Sequence, residues 1–117
     1  MTQRVTIHGI KACDTMKKAR DWLDGRGVNH GFHDYKTDGI DRATLESWAS
    51  KVSWEVLLNR GGTTFRNLPD GDKAGLTKAR AIDLMLAQPS LIKRPLLDVD
   101  GVLLVGFKPE LYAAALP

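Results

Sequence analysis

Residues 96–105 read Leu-Leu-Asp-Val-Asp-Gly-Val-Leu-Leu-Val, two short apolar runs on either side of an Asp-Gly pair. Asp-Gly is the signature of a type I′ turn, whose two central residues both need positive φ. The segment predicts an antiparallel hairpin of Leu96–Val99 with Val102–Val105. Any fold for this chain must contain that pair near its C-terminal end.

The opening third adds a second constraint. Residues 4–8 (Arg-Val-Thr-Ile-His) carry β-branched residues in alternation and predict a strand. After the loop Gly9-Ile10-Lys11-Ala12, the apolar residues Met16, Ala19, Trp22 and Leu23 fall at helical spacing over residues 14 to about 26. Gly25 and Gly27 stop that helix. Residues 30–35 predict a second strand, weakened by Gly31. Strand, helix and strand make a βαβ unit, so the first two strands run parallel while the hairpin is antiparallel.

Helices fill the middle. Asp41 is the predicted cap of a helix over 42–51, with Leu45, Trp48 and Ala49 on its apolar side. Ser53 opens a short helix over 54–58. Residues 59–72, with Gly61, Gly62, Pro69 and Gly71, predict a long irregular loop. Thr77 caps a helix to about 88 with Ala81, Leu84 and Met85 inside. Pro109 suits the first turn of a terminal helix. The expected fold class is α/β (α+β): a mixed four-stranded sheet with flanking helices.

The chain has 117 residues, 43% of them hydrophobic and 26% charged, which predicts one globular domain. No apolar run reaches the ~18–20 residues of a membrane span. Residues 1–10 show no signal-peptide pattern. Seventeen Lys+Arg against fourteen Asp+Glu give a net charge of +3. The basic residues are dispersed, so an anionic ligand is permitted while nucleic-acid and membrane partners are not expected. A single cysteine excludes an internal disulfide and a thiolate zinc site, and suits a reducing cytoplasm.

That cysteine, Cys13, falls where a loop meets a helix. The first N–H groups of a helix have no intrahelical partner and carry partial positive charge, which favours a thiolate. Lys11 adds a cation two residues before. A lone cysteine is often a small buried hydrophobe, but this position points to a nucleophile. Asp14 and Thr15 suit the helix start as capping residues, and the charge of Asp14 opposes a thiolate. In the glycine-rich segment 60–66, Arg60 and Arg66 flank hydroxyls that can hold an anion. His30 and His33 would face opposite sides of a strand, so no metal site is expected there. His8 is expected in core or surface rather than in catalysis. Pro95 reads as a strand boundary.

The stretch Ile7-His8-Gly9-Ile10-Lys11-Ala12-Cys13-Asp14-Thr15-Met16-Lys17-Lys18-Ala19 resembles the opening of the ArsC/Spx family, and in particular its YffB-type branch. Phe32-His33-Asp34-Tyr35, the segment from Leu57 through Arg66, Ile92-Lys93-Arg94-Pro95-Leu96-Leu97 and Gly106-Phe107 extend the likeness along the whole chain. The resemblance implies a thioredoxin-like fold, with its core at about 1–40 and 89–117 and a helical insertion at about 41–88. It implies a cis Arg94–Pro95 bond beside Cys13. It also implies a glutathione-dependent thiol–disulfide reductase with catalytic Cys13, and Lys11, Arg60 and Arg94 holding the thiolate, an anion or glutathione. Glutathione would be a co-substrate, with no bound cofactor and no metal; glutaredoxin is a further implied partner. Two alternatives come with the family. Arsenate reductases use three arginines, of which Arg94 is matched here, while Asn59, next to Arg60, and Lys108 stand at the other places. Spx-type adaptors bind a protein partner and switch through a C-x-x-C pair, but the fourth position here is Met16.

Overall fold

The structure is a computed structural model that describes residues 4–116; residues 1–3, which entered the reading for a signal peptide, lie outside the described residues. Its contacts divide the chain into two compact units, one running to Gly39 and resuming at Arg94, the other Ile40–Lys93.

The first unit is built on a four-stranded sheet of order β2-β1-β3-β4. Strand β1 is Val5–Gly9, β2 Gly31–Asp34, β3 Leu96–Val99 and β4 Val102–Val105. β1 pairs in parallel with β2 and antiparallel with β3, and β3 pairs antiparallel with β4. Asp100 and Gly101 both have positive φ, 52° and 91°, as the type I′ turn requires. Strand periodicity then sorts the side chains of β1. Val5 and Ile7 share one face with Leu97 and Val99 of β3, and these pack against Met16, Ala19 and Leu23 of helix α1 (Asp14–Gly25) and against Tyr112 and Leu116. Trp22, expected on the same apolar side, is partly buried and meets the Tyr112 ring edge-on at 5.6 Å. The opposite face carries Thr6, His8 and Asp98. Strand β2 is shorter than the predicted 30–35 because Asp34 and Asp38 close a turn: each backbone N–H of the pair donates to the other residue, to Asp38 Oδ2 at 3.0 Å and to the Asp34 carbonyl at 2.8 Å.

The second unit is helical: α2 Arg42–Lys51, α3 Trp54–Leu57, α4 Thr63–Arg66, α5 Asp70–Lys73 and α6 Lys78–Ala87, followed by a 3-10 turn Pro89–Leu91. The caps are those read from the sequence, with Asp41, Ser53 and Thr77 accepting from the N–H groups of Thr44, Glu55 and Arg80. Buried Leu45, Trp48, Leu57, Ile82 and Met85 lie on α2, α3 and α6, which pack on one another. Ile92 bridges Leu58, so residues 89–93 belong with this unit. The irregular loop expected at 59–72 is corrected: it contains the four-residue helices α4 and α5, started by extended Gly62 and by Pro69. Asp41→Ala should cost about 1 kcal/mol of stability by orphaning the Thr44 N–H, readable as a lower denaturant midpoint with unchanged slope.

In the first unit, helix α7, Pro109–Ala115, starts on Pro109 as expected. Among the described residues no helix is long and apolar enough to cross a membrane.

Candidate active site

Cys13 is the N-cap of the 12-residue helix α1, in extended backbone (φ −139°, ψ 128°), and its carbonyl accepts the Lys17 N–H at 3.0 Å. Its sulfur makes no capping hydrogen bond and the thiol is free. The residue is half-buried at the edge of the core that holds Met16. Two links bring it there. Gly9 ends β1, and a Cβ at this position would stand 2.2 Å from Met16 Sδ, so only glycine lets the first turn of α1 lie this close to the strand. Between them, loop 10–12 is tied down at Lys11.

That tie is Asp34, a buried carboxylate at 6% exposure. The Lys11 N–H donates to its Oδ2 at 3.1 Å, and the Lys36 and Thr37 N–H groups donate to its Oδ1 at 2.8 and 3.4 Å. Burial alone would raise its pKa. The N–H donors of Lys36, Lys11 and Thr37, helped by His33, outweigh burial and hold it below its ordinary value. Asp34 thus joins the end of β2 to the loop that delivers Cys13.

Arg94 and Pro95 reach the same end of the sheet. Their peptide bond is cis. β3 begins next, with Leu96 opposite His8, so the Arg-Pro pair precedes β3 where β1 runs out into the Cys13 loop. The Pro95 carbonyl accepts the Gly106 N–H at 2.8 Å. Tyr35, fully buried, donates its N–H to the Gly9 carbonyl at 2.8 Å. Burial raises the pKa of its phenol, and the Arg94 charge offsets this only in part. Gly9, Asp34, Tyr35 and Arg94 therefore converge where the parallel strands end, the edge at which open α/β sheets place their ligands.

The remaining residues singled out in the sequence are placed as follows. Lys11 keeps an exposed side chain in the first unit. Arg60 belongs to the second unit, its guanidinium 5.7 Å from the centroid of the Trp54 ring. Lys108 is the N-cap of α7, and its side chain makes no cap bond. Among the described residues no three His, Cys, Asp or Glu side chains are grouped to hold a metal.

One pair was invisible in the sequence. His8 and His33 are partners in the parallel β1–β2 register, and their Nδ1 atoms lie 2.8 Å apart. His33 Nε2 is 2.6 Å from the Gly39 carbonyl, which can only accept, so Nε2 carries the proton. The two Nδ1 atoms share one hydrogen bond, one imidazole donating to the other. Burial first, then repulsion from His33, lowers the His8 pKa to about 4, with Asp98 pulling the other way. The unfolded chain, at 6.5, therefore takes up this proton first. The stabilisation is complete above pH 6.5 and is lost as pH falls through 4. Partial exposure limits it to on the order of 1 kcal/mol. The denaturant midpoint of wild type should fall further between pH 7 and pH 4.5 than that of His8→Gln; equal falls would remove His8 from the acid response.

Residues 8–115 match the model of the ArsC family. The chain is similar to a solved structure described as the YffB protein, with 59% identity over 97% of this chain and 99% of that one and a TM-score of 0.93. It is similar to an arsenate reductase (ArsC) related protein from Brucella melitensis, with 57% identity over 95% and 92% of the two chains and a TM-score of 0.79. An uncharacterized protein of Haemophilus influenzae is 42% identical over 95% of this chain and 97% of its own length. A global transcriptional regulator Spx of Streptococcus pyogenes is 29% identical over 91% of this chain and 80% of its own length.

Proposed function

The chain belongs to the ArsC family, and we propose that it acts there as a glutathione-dependent thiol–disulfide reductase. Its support is the placement of Cys13: a single free thiol, half-buried at the N-cap of a long helix, with no second cysteine anywhere in the chain. The helix N-terminus favours the anionic sulfur. Lacking an internal resolving thiol, the cycle needs one from outside, and glutathione is the abundant source in a reducing cytoplasm.

The chemistry runs in two exchanges. The Cys13 thiolate attacks the glutathione sulfur of a mixed disulfide R–S–SG. The S–SG bond breaks, Cys13–S–SG forms, and the R-thiolate leaves and takes a proton from solvent. The thiolate of a second glutathione then attacks the glutathione sulfur on Cys13, releasing oxidised glutathione and restoring the Cys13 thiolate. The net reaction turns R–S–SG and one glutathione into R–SH and oxidised glutathione. Arg94 and Lys11, both in the first unit, are the candidates for steadying the Cys13 thiolate and the anionic disulfide during the exchange.

The test is intact-mass measurement after exposure to oxidised glutathione. One glutathione should add per chain, at Cys13, and come off with reduced glutathione. An adduct that forms only in denaturant would sink the proposal. Arg94→Ala should slow the addition, and Arg94→Lys should restore it in part, because an ammonium keeps the charge without the planar fork. Equal rates for all three proteins would assign Arg94 to structure.

A further inference from the structure

Lys11, Lys17, Arg20, Asp21 and Asp24 line one open groove of about 290 Å³ on the first unit. Four of these residues lie on α1, at 4, 7, 8 and 11 positions after Cys13. At about 100° per residue they fall within roughly 100° of one another around the helix, on one stripe of α1. Met16, Ala19 and Leu23 occupy the neighbouring, buried face. The groove lies along the helix from Lys11 and Lys17, which flank Cys13 in the chain, and Arg20 stands about 10 Å beyond Cys13 along the axis.

Helix stability does not account for this charge order. A helix favours acids in its first turns and bases in its last, and favours an acid four residues before a base rather than after it. The first turn of α1 holds the acid Asp14, as the dipole favours, but along the groove the bases Lys17 and Arg20 precede the acids Asp21 and Asp24, and the last turn holds no base. Nor do the groove charges satisfy one another. Among the described residues none of Lys11, Lys17, Arg20 and Asp21 is in an ion pair, and Asp24 reaches only His30, at 4.0 Å. The Arg20 guanidinium is held 4.4 Å from the centroid of the Phe32 ring, which restrains the cation while leaving its N–H edge available.

We propose that this groove is the binding site for the glutathione unit that exchanges at Cys13, a proposal that rests on the glutathione-dependent reading above. The ligand class is a short peptide thiol with two carboxylates and one ammonium. Its sulfur meets Cys13, its carboxylates meet Lys11, Lys17 and Arg20, and its ammonium meets Asp21 and Asp24. Each charge on the ligand has a counterpart of opposite sign in the groove.

The experiment measures the rate of mixed-disulfide formation at Cys13 in the full chain, with oxidised glutathione and with bis(2-hydroxyethyl) disulfide, which carries no charge. Wild type should prefer oxidised glutathione, and salt should erode the preference. Lys17→Glu and Arg20→Glu should each lower the ratio of the two rates roughly tenfold. Lys17→Glu should do so while melting no lower than wild type, because an acid suits that end of the helix. Arg20→Gln, which only neutralises, should give a smaller fall. A ratio unchanged in both reversals overturns the groove alone. An equal fall in Lys78→Glu, on α6 and outside the groove, also overturns it. No preference in wild type overturns the glutathione reading and the groove together.

Discussion

Cys13→Ser should take up no glutathione from its disulfide, where wild type should take up one per chain. The reason is chemical rather than structural. A serine hydroxyl keeps its proton at neutral pH, and the nucleophile of disulfide exchange is an anionic sulfur. No other thiol in the chain can stand in. Because the side chain is half-buried and its sulfur caps nothing, the substitution should change stability by no more than about 1 kcal/mol. The fold should remain while the chemistry is lost. The same variant separates the family's activities. In an assay coupling arsenate, glutathione and glutaredoxin to NADPH consumption, wild type should show little turnover if, as the family resemblance implies, Asn59 and Lys108 stand at two of the three arginine places. Robust turnover lost in Cys13→Ser would put arsenate reduction ahead of disulfide exchange.

Gly9→Ala should be the most damaging single methyl in the first unit. The added carbon would stand 2.2 Å from Sδ and 2.6 Å from Cε of Met16. A thioether can usually swing aside, but Met16 is fully buried, so it must displace its neighbours. Overpacking of this kind costs about 1–3 kcal/mol, or several degrees in melting temperature for a chain of this size. The strain is delivered to the first turn of α1, so Cys13 alkylation by iodoacetamide should slow as well. Met16→Ala alone leaves a cavity costing about 2–5 kcal/mol. Combined with Gly9→Ala it should cost less than the two singles together, because the new methyl enters the vacated space. Strict additivity would show that the two residues do not press on each other.

The parts of this fold that could be read from the sequence are those written in a few consecutive residues. Asp100-Gly101 carries its own positive φ, so the hairpin was legible from the dipeptide. Asp41 and Thr77 announce their helices through a side-chain oxygen that reaches an N–H three residues on. Helices α4 and α5 could not be read because four residues are too few to display a 3.6-residue period. The contacts of Asp34 and of His8 with His33 could not be read for a different reason. They depend on the register of two parallel strands joined by a helix, and neither strand encodes that offset. Cys13 was legible because a loop, a thiol and a helix start are adjacent in the chain. The charge stripe beyond it was visible in principle, as bases that precede acids at helical spacing.

Met16, buried at the third residue after Cys13, has a consequence for timing. An oxidoreductase with two neighbouring thiols can discharge its own intermediate and so sets the lifetime of that intermediate itself. Here the position nearest along the helix is filled by a thioether, which cannot reduce a disulfide. Once Cys13 has been oxidised, the wait for release is governed by the supply of small thiol in the surroundings. If the proposed exchange operates, the occupancy of the oxidised form should therefore follow the ratio of oxidised to reduced thiol outside the protein, and the chain would report on that pool as well as act within it.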